Sequence, residues 1–390
     1  MPESVKILVN AVNLKVAGGL AVAFNFLEAV GRNSRLSGHQ YHVLAPSGVG
    51  YERFANHSIT VEIVPAAMES PLRRLYLDWT WLRPRIEALK PDVVFTMGNI
   101  AVPTDRPQAV LFMYPYAIYP EERAAWDRLG LARQIDYRFR NWVFRRRLRH
   151  ADLMFPQTRT AARRLSQYYA KEVPPCTVVP AAYTEIGEDG SAVPPFEREV
   201  GVVHLLCLTK YYAHKNLEVL PDFVLRLDPS PVPVRVITTI EADQGAGARR
   251  FLDRIRQPDV AGRIVNIGKV PIRSVPALYD RVDGLIMPTL LESFSSTYAD
   301  AMHFRKPVFT SDRDFARDVC GDVAFYFEPL DPGAIARVVS DAFSQPAELR
   351  RRIDAGSERV QGFPRWGEVS HRYVCAMEAL CQGERVVRRT

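Results

Sequence analysis

Residues 5–32, VKILVNAVNLKVAGGLAVAFNFLEAVGR, contain the unit that decides the fold: an apolar segment, a glycine pair and an amphipathic segment. VKILVNAV is the short apolar run of a buried β-strand, and GGLAVAFNFLEAVGR has the apolar spacing of a helix. Continuous rather than alternating hydrophobicity in the strand is typical of a parallel sheet that helices cover on both faces. These residues therefore predict a βα unit of an α/β protein.

The same alternation continues along the chain and restarts once. Residues 184–201, TEIGEDGSAVPPFEREVG, are rich in glycine, proline and acidic residues, have no periodicity, and are predicted to be a linker. Strand-like apolar segments lie on both sides of it: YHVLAPSG, ITVEIVPA, PDVVFTMGN, QAVLFMY and ADLMFPQT before it, and VVHLLCLTK, VRVITTI, RIVNIGKV, DGLIMPT, KPVFTSD and VAFYFEP after it. We therefore predict an α/β fold of two doubly wound, Rossmann-like domains, residues 1–183 and 202–365, facing each other across a cleft.

Length and composition agree with this architecture. A chain of 390 residues is longer than one ordinary core serves, and 47% hydrophobic with 24% charged residues is typical of a soluble globular protein. No apolar run approaches the roughly 20 residues of a membrane span, and the opening MPESVKILVNAV lacks the pattern of a signal peptide. The five scattered cysteines indicate reduced thiols. We expect a cytoplasmic protein.

Positive charge is concentrated in the first half of the chain. Residues 1–180 contain 24 Lys and Arg against 15 Asp and Glu, whereas the remainder contains 27 against 29. Residues 133–150, RQIDYRFRNWVFRRRLRH, contain seven arginines and one acidic residue, and residues 73–85, RRLYLDWTWLRPR, are a second basic segment with tryptophans. The balance predicts an anionic partner for this half.

The segment at 133–150 has the periodicity of a helix, in which we expect a stripe of Ile135, Phe139, Trp142 and Val143 to be buried. The arginines then form either a solvated face or a surface that docks on anionic lipid head groups, with Trp142 at the boundary. Because the second basic segment lies in the same domain, we favour docking, and expect a protein peripheral to the inner face of a membrane.

Side chains suited to ligand binding lie at three strand-to-helix junctions, which is where parallel sheets bind ligands. At the first junction Gly18 and Gly19 separate a strand from its helix. Glycines there permit positive φ and close approach of a ligand, and the helix N-terminus can bind an anion. A glycine pair also fits a simple tight turn, and the three spaced glycines of a dinucleotide site are absent.

At the second junction, CLTKYYAHKNLEVL, Lys210 and Lys215 follow a strand and flank an aromatic loop. Two ammonium groups at the end of a strand can neutralise a diphosphate. The alternative is a pair of solvated surface lysines. Asn216, in the same segment, is a candidate helix cap.

The third junction, PTLLESFSSTYADAMHFRKPVFTSD, spans residues 288–312. A strand is predicted to end near Leu290 and a helix to begin at Ser295. The first N–H groups and the serine hydroxyls of this helix can hold phosphate oxygens, while Glu292 and Asp300 can accept hydrogen bonds from sugar hydroxyls. Helix capping by serine and acidic side chains is the alternative.

Taken together, the three junctions resemble the retaining GT-B glycosyltransferases, in particular glycosyltransferase family 4. Lys210 and Lys215 match that family's Arg or Lys, four residues, then Lys. ESFSSTYAD, in which Asp300 follows Glu292 by eight positions, resembles its Glu-Gly-Phe-Gly signature with a second Glu, and the glycine pair matches the loop of the first domain. The resemblance extends through DVCGDVAFYFEPLDP and GFPRWGEVSHRYVCAMEAL, so it covers nearly the whole chain.

This resemblance implies that a sugar moves from a nucleotide-diphosphate donor to a hydroxyl of a glycan or lipid-linked glycan, with retention at the anomeric carbon and with no metal or other cofactor. Residues 1–183 would be the acceptor-side domain and residues 202–365 the nucleotide-sugar domain. Residues 366–390 would form a helix that crosses back to the first domain.

The resemblance also implies roles for individual residues. Lys210 and Lys215 would stabilise the departing diphosphate, Glu292 would contact the donor sugar, and Asp300 the ribose. The implied donor-binding set is Gly18, Gly19, Ser293, Phe294, Ser295, Ser296 and Asp300. Retention in this family is ascribed to front-face attack, in which the donor phosphate helps to deprotonate the acceptor; a covalent glutamate intermediate is the less favoured route.

Several positions depart from the family pattern. Ser293 and Ser295 replace the two signature glycines, so torsions open only to glycine cannot be assumed. Asp300 is one methylene shorter than glutamate, so its ribose contact is expected to be longer or bridged by water. Tyr114 lies where many members have a histidine; because tyrosine, with a pKa of about 10, is a poor base, Tyr114 is retained only as a cleft residue.

Three other functions fit parts of the pattern. One is a sugar-nucleotide epimerase on the same architecture, and another is an inactive nucleotide-sugar-binding protein, which the serines and Asp300 would suit. A nucleic-acid binder would use the arginines, but no nucleic-acid motif is present. Asp312 and Asp314 have the spacing of a metal-binding Asp-x-Asp pair, but Asp312 is interpreted as a turn or cap residue. The eight histidines have no zinc spacing.

Overall fold

The computed structural model describes residues 4–15, 17–33, 35–69, 71–183, 196–227 and 233–383. Each of the predicted apolar segments contains a strand. Within the described ranges the strands are β1 Lys6–Asn10, β2 Gln40–Ala45, β3 Ile59–Ile63, β4 Val93–Thr96, β5 Gln108–Phe112, β6 Leu153–Pro156, β7 Val203–Cys207, β8 Val234–Thr238, β9 Ile264–Asn266, β10 Gly284–Met287, β11 Val308–Ser311 and β12 Phe325–Phe327.

The helices connect these strands. They are α1 Ala17–Arg32, α2 Pro71–Leu77, α3 Arg83–Leu89, α4 Arg123–Asp127, α5 Leu131–Arg147, α6 Arg159–Tyr169, α7 Val219–Arg226, α8 Ala246–Ile255, α9 Val275–Asp280, α10 Ser296–His303, α11 Asp314–Cys320, α12 Pro332–Ser344, α13 Pro346–Gln361 and α14 Trp366–Cys381. A π-helical stretch, Asp78–Leu82, joins α2 to α3.

The strands form two parallel sheets of six strands each. The orders are β3-β2-β1-β4-β5-β6 and β12-β11-β10-β7-β8-β9, so each sheet starts in the middle, runs to one edge and then reverses. This is the doubly wound Rossmann order. Apolar residues on both faces of the inner strands are buried, as in β4, β5 and β10. The prediction of two doubly wound α/β domains is therefore confirmed.

The chain divides into two compact units. Unit 1 comprises Met1–Tyr119, Ile135–Ala182 and Pro364–Thr390, and unit 2 comprises Pro120–Gln134 and Tyr183–Phe363. The predicted boundary at residue 183 assigns Pro120–Gln134 to the first domain, whereas its contacts place it in unit 2. The predicted linker, residues 184–201, lies outside the described residues as far as position 195.

Helix α14, near the end of the chain, belongs to unit 1. Its Tyr373 is fully buried and its ring packs on Phe26, Phe95 and Phe155, at centroid distances of 6.3, 5.3 and 4.8 Å. Phe95 and Phe155 lie on strands and Phe26 lies on α1, so the last helix completes the aromatic core beneath this sheet. Residues 384–390 lie outside the described range.

Helix α5 buries a different face from the one predicted. Of the expected stripe only Val143 is buried, while Ile135, Phe139 and Trp142 are exposed. The buried face instead carries Phe144, which packs on rings of β5 and α6 at 5.6 and 5.2 Å. A second stripe at helical spacing, Tyr137, Phe144 and Leu148, packs inward instead, and these ring contacts select it.

In the part of the chain that the structure describes, no helix combines the length and the apolar character needed to cross a bilayer. All five cysteines are free. Cys207 and Cys320 are buried, and burial raises the pKa of each thiol to about 12, so both are unreactive at neutral pH.

Candidate functional site

Two loops of unit 2 lie side by side because their strands do. β7 pairs with β10, with Leu206 opposite Leu285, and the strand order of the sheet reverses between them. The strands are parallel, so the loop after β7, with Lys210 and Lys215, and the loop after β10, with Glu292, leave the sheet at the same edge. A reversal of this kind is where open α/β sheets bind ligands. The fold therefore brings the second and third predicted junctions together.

Lys215 and Glu292 make the central contact at this edge. The Lys215 ammonium donates a hydrogen bond to Glu292 Oε1, and the two side chains are only 13% and 9% exposed. Thr289 Oγ1 donates to the same carboxylate oxygen at 3.2 Å. Lys210 is half-buried in the same loop, and its ammonium forms no salt bridge with any described residue. The edge thus holds one neutralised ion pair and one cation in excess.

Helix α10 begins beside this pair. Its N-cap is Ser295, with extended backbone at φ −126° and ψ 111°, and Ser295 Oγ lies 2.8 Å from Thr297 Oγ1. Ser293 is likewise absent from the residues with positive φ. Neither serine therefore occupies a conformation that requires glycine. Ser293 and Ser295 are buried, Phe294 is half-buried and Ser296 is exposed.

Asp300 lies further along α10 and points into unit 2. It is only 3% exposed. Burial, together with the nearby charge of Asp300, raises the pKa of Tyr279 well above its usual value. The carboxylate therefore lies almost entirely below the surface, so a ribose contact is more restricted than the sequence suggests.

Gly18 and Gly19 belong to unit 1, where they lie within the first turn of α1. Neither has a positive φ, so the left-handed conformation that glycine permits is not used at these positions. A Cβ at Gly19 would lie 2.9 Å from Leu14 Cδ2, whereas a Cβ at Gly18 would meet nothing within 4 Å. Gly18 therefore leaves the backbone of the first helical turn open, and the first N–H groups of a helix have no partner within the helix.

Tyr114, also in unit 1, follows β5. Its ring stacks on Tyr137 with a centroid distance of 6.1 Å, and its hydroxyl oxygen is buried without a hydrogen-bond partner among the described residues. Burial raises the pKa of Tyr114. The hydroxyl is thus enclosed by its own unit, so Tyr114 as a cleft residue stays a prediction that this side-chain conformation does not favour.

Asp312 is engaged in a salt bridge. Its carboxylate accepts two hydrogen bonds from Arg317, at 2.6 and 2.8 Å, which lower the pKa of Asp312. Asp312 thus lies on the bend between β11 and α11, as the turn interpretation expects, but its side chain pairs with Arg317 and caps no helix. Among the described residues no group of three or more His, Cys, Asp and Glu side chains is placed to hold a metal ion.

Two family models match the chain, one in each half. The model of the glycosyl transferases group 1 matches residues 204–359, and that of glycosyltransferase family 4 matches residues 23–183. The first match includes both loops of the Lys215–Glu292 edge. The chain is a glycosyltransferase, and its residues 204–359 match group 1. No curated protein sequence matches it.

This glycosyltransferase shares its fold with several solved structures. Sucrose-phosphate synthase from Thermosynechococcus elongatus is 13% identical, with a TM-score of 0.74 over 97% of this chain and 99% of that one. WaaG, a glycosyltransferase involved in lipopolysaccharide biosynthesis, is 13% identical, with a TM-score of 0.73 over 95% and 99%. HepE from Anabaena, solved in complex with UDP and glucose, is 12% identical, with a TM-score of 0.66 over 96% and 100%. At these identities the similarity shows a common GT-B fold.

Asn216 is a residue of this glycosyltransferase whose importance the sequence did not reveal. It follows Lys215, is fully buried and has a left-handed backbone at φ 56°. Its Nδ2 donates to the carbonyls of Pro288 (3.1 Å) and Pro329 (2.7 Å), and its Oδ1 accepts from Arg128 Nη2 (2.6 Å). The side chain therefore caps no helix. It ties the Lys215 loop to the loop that carries Glu292, and its partners are too far away in sequence for a motif to suggest them.

The segment Pro120–Gln134 contacts unit 2 at two polar points. Arg128 donates to Asn216, and Arg313 Nε lies 3.4 Å from the Glu122 carboxylate. These contacts join the segment to the rest of unit 2, although it lies in sequence between strands of unit 1. They also extend the support of the Lys215 loop to a part of the chain far away in sequence.

Acid is expected to destabilise this glycosyltransferase before its carboxylates titrate. Burial lowers the pKa of His150, His204 and His214; for His214, which stacks on Tyr212, it does so strongly, with the Lys215 charge adding to it. Below the ordinary pKa of about 6.5 the unfolded chain binds protons that these folded imidazoles do not, so stability falls as the pH decreases.

We expect the apparent melting temperature to fall between pH 7 and pH 5.5, and to fall less in His214→Gln, because glutamine does not titrate. Thermal unfolding of both proteins at several pH values measures this. His57, which is exposed, provides the control variant His57→Gln. An identical pH dependence in His214→Gln and the wild type would contradict the assignment.

Proposed function

We propose that this glycosyltransferase moves a sugar from a nucleotide-diphosphate donor to a hydroxyl of a glycan or lipid-linked glycan, with retention and without a metal. The observation that carries the proposal is the Lys215–Glu292 pair, with Lys210 beside it, at the strand reversal of unit 2. Support for the donor class comes from HepE, which was solved with UDP and glucose.

The positive groups at this edge suit the departing diphosphate. Lys210 supplies an ammonium that no described carboxylate neutralises, and the Lys215 ammonium, with three N–H donors, can bind a phosphate oxygen while it keeps Glu292. The first N–H groups of α10, near Phe294 to Ser296, add a positive helix end. Protein groups that are already positioned to stabilise the charge developing in the transition state usually make the largest catalytic contribution. The two lysines supply the role that a metal would otherwise fill.

Glu292 is proposed to bind the donor sugar rather than to attack it. Its carboxylate already accepts hydrogen bonds from Lys215 and Thr289 and is mostly buried, which holds it in one orientation and weakens it as a nucleophile. Front-face attack, in which the donor phosphate accepts the proton of the acceptor hydroxyl, needs no free carboxylate. Asp300, on α10, is proposed to hold the ribose.

We also propose that the protein acts in the cytoplasm, at the inner face of a membrane. Helix α5 and the π-helical stretch of unit 1 carry exposed aromatic and basic side chains, which favours an acceptor on an anionic membrane surface.

The proposal is tested with a panel of sugar nucleotides, with and without a chelator, by following release of nucleoside diphosphate and the anomeric configuration of the product. We expect turnover with one donor class, insensitivity to chelator and a retained configuration. Loss of turnover on chelation, or an inverted product, would overturn the corresponding part of the proposal.

Two alternatives have distinct outcomes in the same assay. An inactive binding protein, which the deep burial of Asp300 and the two serines would suit, would bind one donor tightly and release no diphosphate with any acceptor. An epimerase would change the sugar of the nucleotide in the absence of acceptor. Diphosphate release that depends on acceptor would contradict both.

A further inference from the structure

We propose that one face of helix α5, together with the neighbouring π-helical stretch Asp78–Leu82, is a docking surface for an anionic lipid bilayer. The face, here called the α5 ridge, consists of Ile135, Arg138, Phe139, Trp142, Arg146 and Arg149, with Arg149 in the turn that continues α5. At 100° per residue these positions fall within an arc of about 100°. The ridge therefore forms one continuous strip along the helix.

The large apolar side chains of the ridge are exposed to solvent instead of packing in the core. Ile135, Phe139 and Trp142 are 59%, 40% and 54% exposed. Tyr76 and Trp79, from the second basic segment, are exposed as well. These five are nearly half of the eleven large hydrophobic side chains that are exposed in the described part of the chain. Concentration of this kind marks an interaction site, whereas single exposed side chains need no explanation.

The arginines of α5 separate into two sets. On the flanks, Arg140, Arg145 and Arg147 contact Asp136, Glu172 and Asp78, at 2.9, 2.6 and 3.4 Å. On the ridge, Arg138, Arg146 and Arg149 are exposed and form no salt bridge with any described residue. The charge not neutralised within the protein therefore lies on the same strip as the exposed apolar side chains.

The π-helical stretch extends the ridge at the C-terminal end of α5. Asp78 contacts Arg147 from α5, and the Trp79 ring lies 6.1 Å from the His150 ring. Arg147 and Arg83 both lie over the Trp79 ring, each 5.5 Å from its centroid. These contacts hold Trp79 beside the last turn of the helix, where it adds an aromatic ring to the same surface.

An anionic bilayer fits this surface better than a protein partner does. Phe139 and Trp142 stack at 5.8 Å, and Arg146 lies 5.3 Å from the centroid of the Trp142 ring, so rings and guanidinium groups occupy the same level. At a bilayer surface aromatic rings enter the head-group boundary while arginine side chains extend to the phosphates. Attraction of each basic group to anionic lipid adds to this burial. The purpose of the docking, access to a lipid-linked acceptor, rests on the proposed function, but the docking itself does not.

The test is co-sedimentation of the full chain, without donor or acceptor, with two kinds of vesicle. One kind is phosphatidylcholine alone, and the other contains about 30% anionic phosphatidylglycerol, which attracts basic surfaces. We expect at least about tenfold tighter binding to the anionic vesicles, and weaker binding as salt is raised from 50 to 500 mM, because salt screens charge. Ile135→Ser/Phe139→Ser/Trp142→Ser and Arg138→Gln/Arg146→Gln/Arg149→Gln should each reduce binding by about tenfold or more. Because the altered side chains are exposed, the melting temperature should change little.

The matched control is Ile272→Ser/Leu330→Ser, which removes two exposed hydrophobic side chains of unit 2 and should leave vesicle binding unchanged. Absence of binding to anionic vesicles at 50 mM salt would overturn the proposal, as would equal binding by the ridge variants. Self-association that the ridge variants abolish, without vesicle binding, would instead assign the ridge to a second copy of the chain. None of these results depends on sugar transfer, so the docking and the proposed reaction fail independently.

Discussion

Lys215→Met is expected to lower kcat for sugar transfer by about 10²–10³-fold, the usual loss when one pre-placed group that stabilises developing charge is removed. Lys215 contacts Glu292 in the structure, and in the proposed reaction its ammonium also stabilises the departing diphosphate. Initial rates with the donor that the panel identifies measure the effect.

The same substitution should also destabilise the protein, which complicates its interpretation. Removing one partner of a buried ion pair leaves the other charge unpaired, and this typically costs about 3–5 kcal/mol. The Lys215 and Glu292 side chains are both largely buried, so the wild-type pair falls in this class. A fall in activity caused only by unfolding would resemble the predicted result.

Two variants separate chemistry from stability. In Lys215→Met/Glu292→Gln no charge is left unpaired, so much of the stability should return while transfer stays low. Lys210→Met removes a positive charge near the departing diphosphate, so kcat should fall by about tenfold or more. Because no ion pair is lost, the melting temperature should change little. Recovery of activity in the double variant, or full activity in Lys210→Met, would contradict the assigned roles.

The fold was largely predictable because the strands are short, apolar and buried on both faces. The site could be predicted because these strands are parallel and the strand order reverses between two of them. Lys215 and Glu292 are 77 residues apart, yet parallel strands at a reversal place their following loops together. Helix α5 shows the limit of this reasoning. It contains two apolar stripes at equivalent spacing, and the burial of one was decided by rings of β5 and α6 that no local pattern identifies.

The serines of the signature show a second limit. From the sequence, Ser293 and Ser295 raised the question of whether the loop could adopt its conformation without glycine. The extended backbone of Ser295 and the absence of positive φ at both positions show that it can. What the serines add is volume and hydroxyl groups near the start of α10, so in the proposed reaction we expect them to affect the fit of the donor phosphates rather than the fold of the loop.

Asn216 carries the other large predicted effect. Asn216→Ala removes the two N–H donors to the buried carbonyls of Pro288 and Pro329 and the acceptor for Arg128. It also places alanine in a left-handed conformation that asparagine tolerates better. An unsatisfied buried polar group costs about 1–3 kcal/mol, and the backbone strain adds roughly 1 kcal/mol. We expect a loss of about 3–5 kcal/mol in the stability of unit 2.

A series of variants divides this loss into its parts. Asn216→Gly keeps the left-handed backbone at no steric cost, so it should be more stable than Asn216→Ala by about 1 kcal/mol while lacking the same hydrogen bonds. Arg128→Ala removes only one of the three hydrogen bonds of the Asn216 side chain, besides an exposed one to the Ala124 carbonyl, and should have the smallest effect, about 1–2 kcal/mol. Denaturant unfolding followed by a probe in unit 2 gives the order wild type, Arg128→Ala, Asn216→Gly, Asn216→Ala.

The loss of activity should depend on the missing side-chain hydrogen bonds of Asn216 and not on backbone strain, so it should be similar in both variants. Asn216 joins the Lys215 loop to the Pro288 carbonyl, four residues before Glu292, so without its side chain the two loops are free to move apart. A displacement of about 1 Å at a catalytic group can cost about 10²-fold in rate, so kcat should fall by at least tenfold in both Asn216 variants at temperatures where they remain folded. The donor KM should change less, because Lys210 and the start of α10 remain in place. Wild-type kcat in folded Asn216→Gly would show that the Lys215 loop holds its position without this side chain.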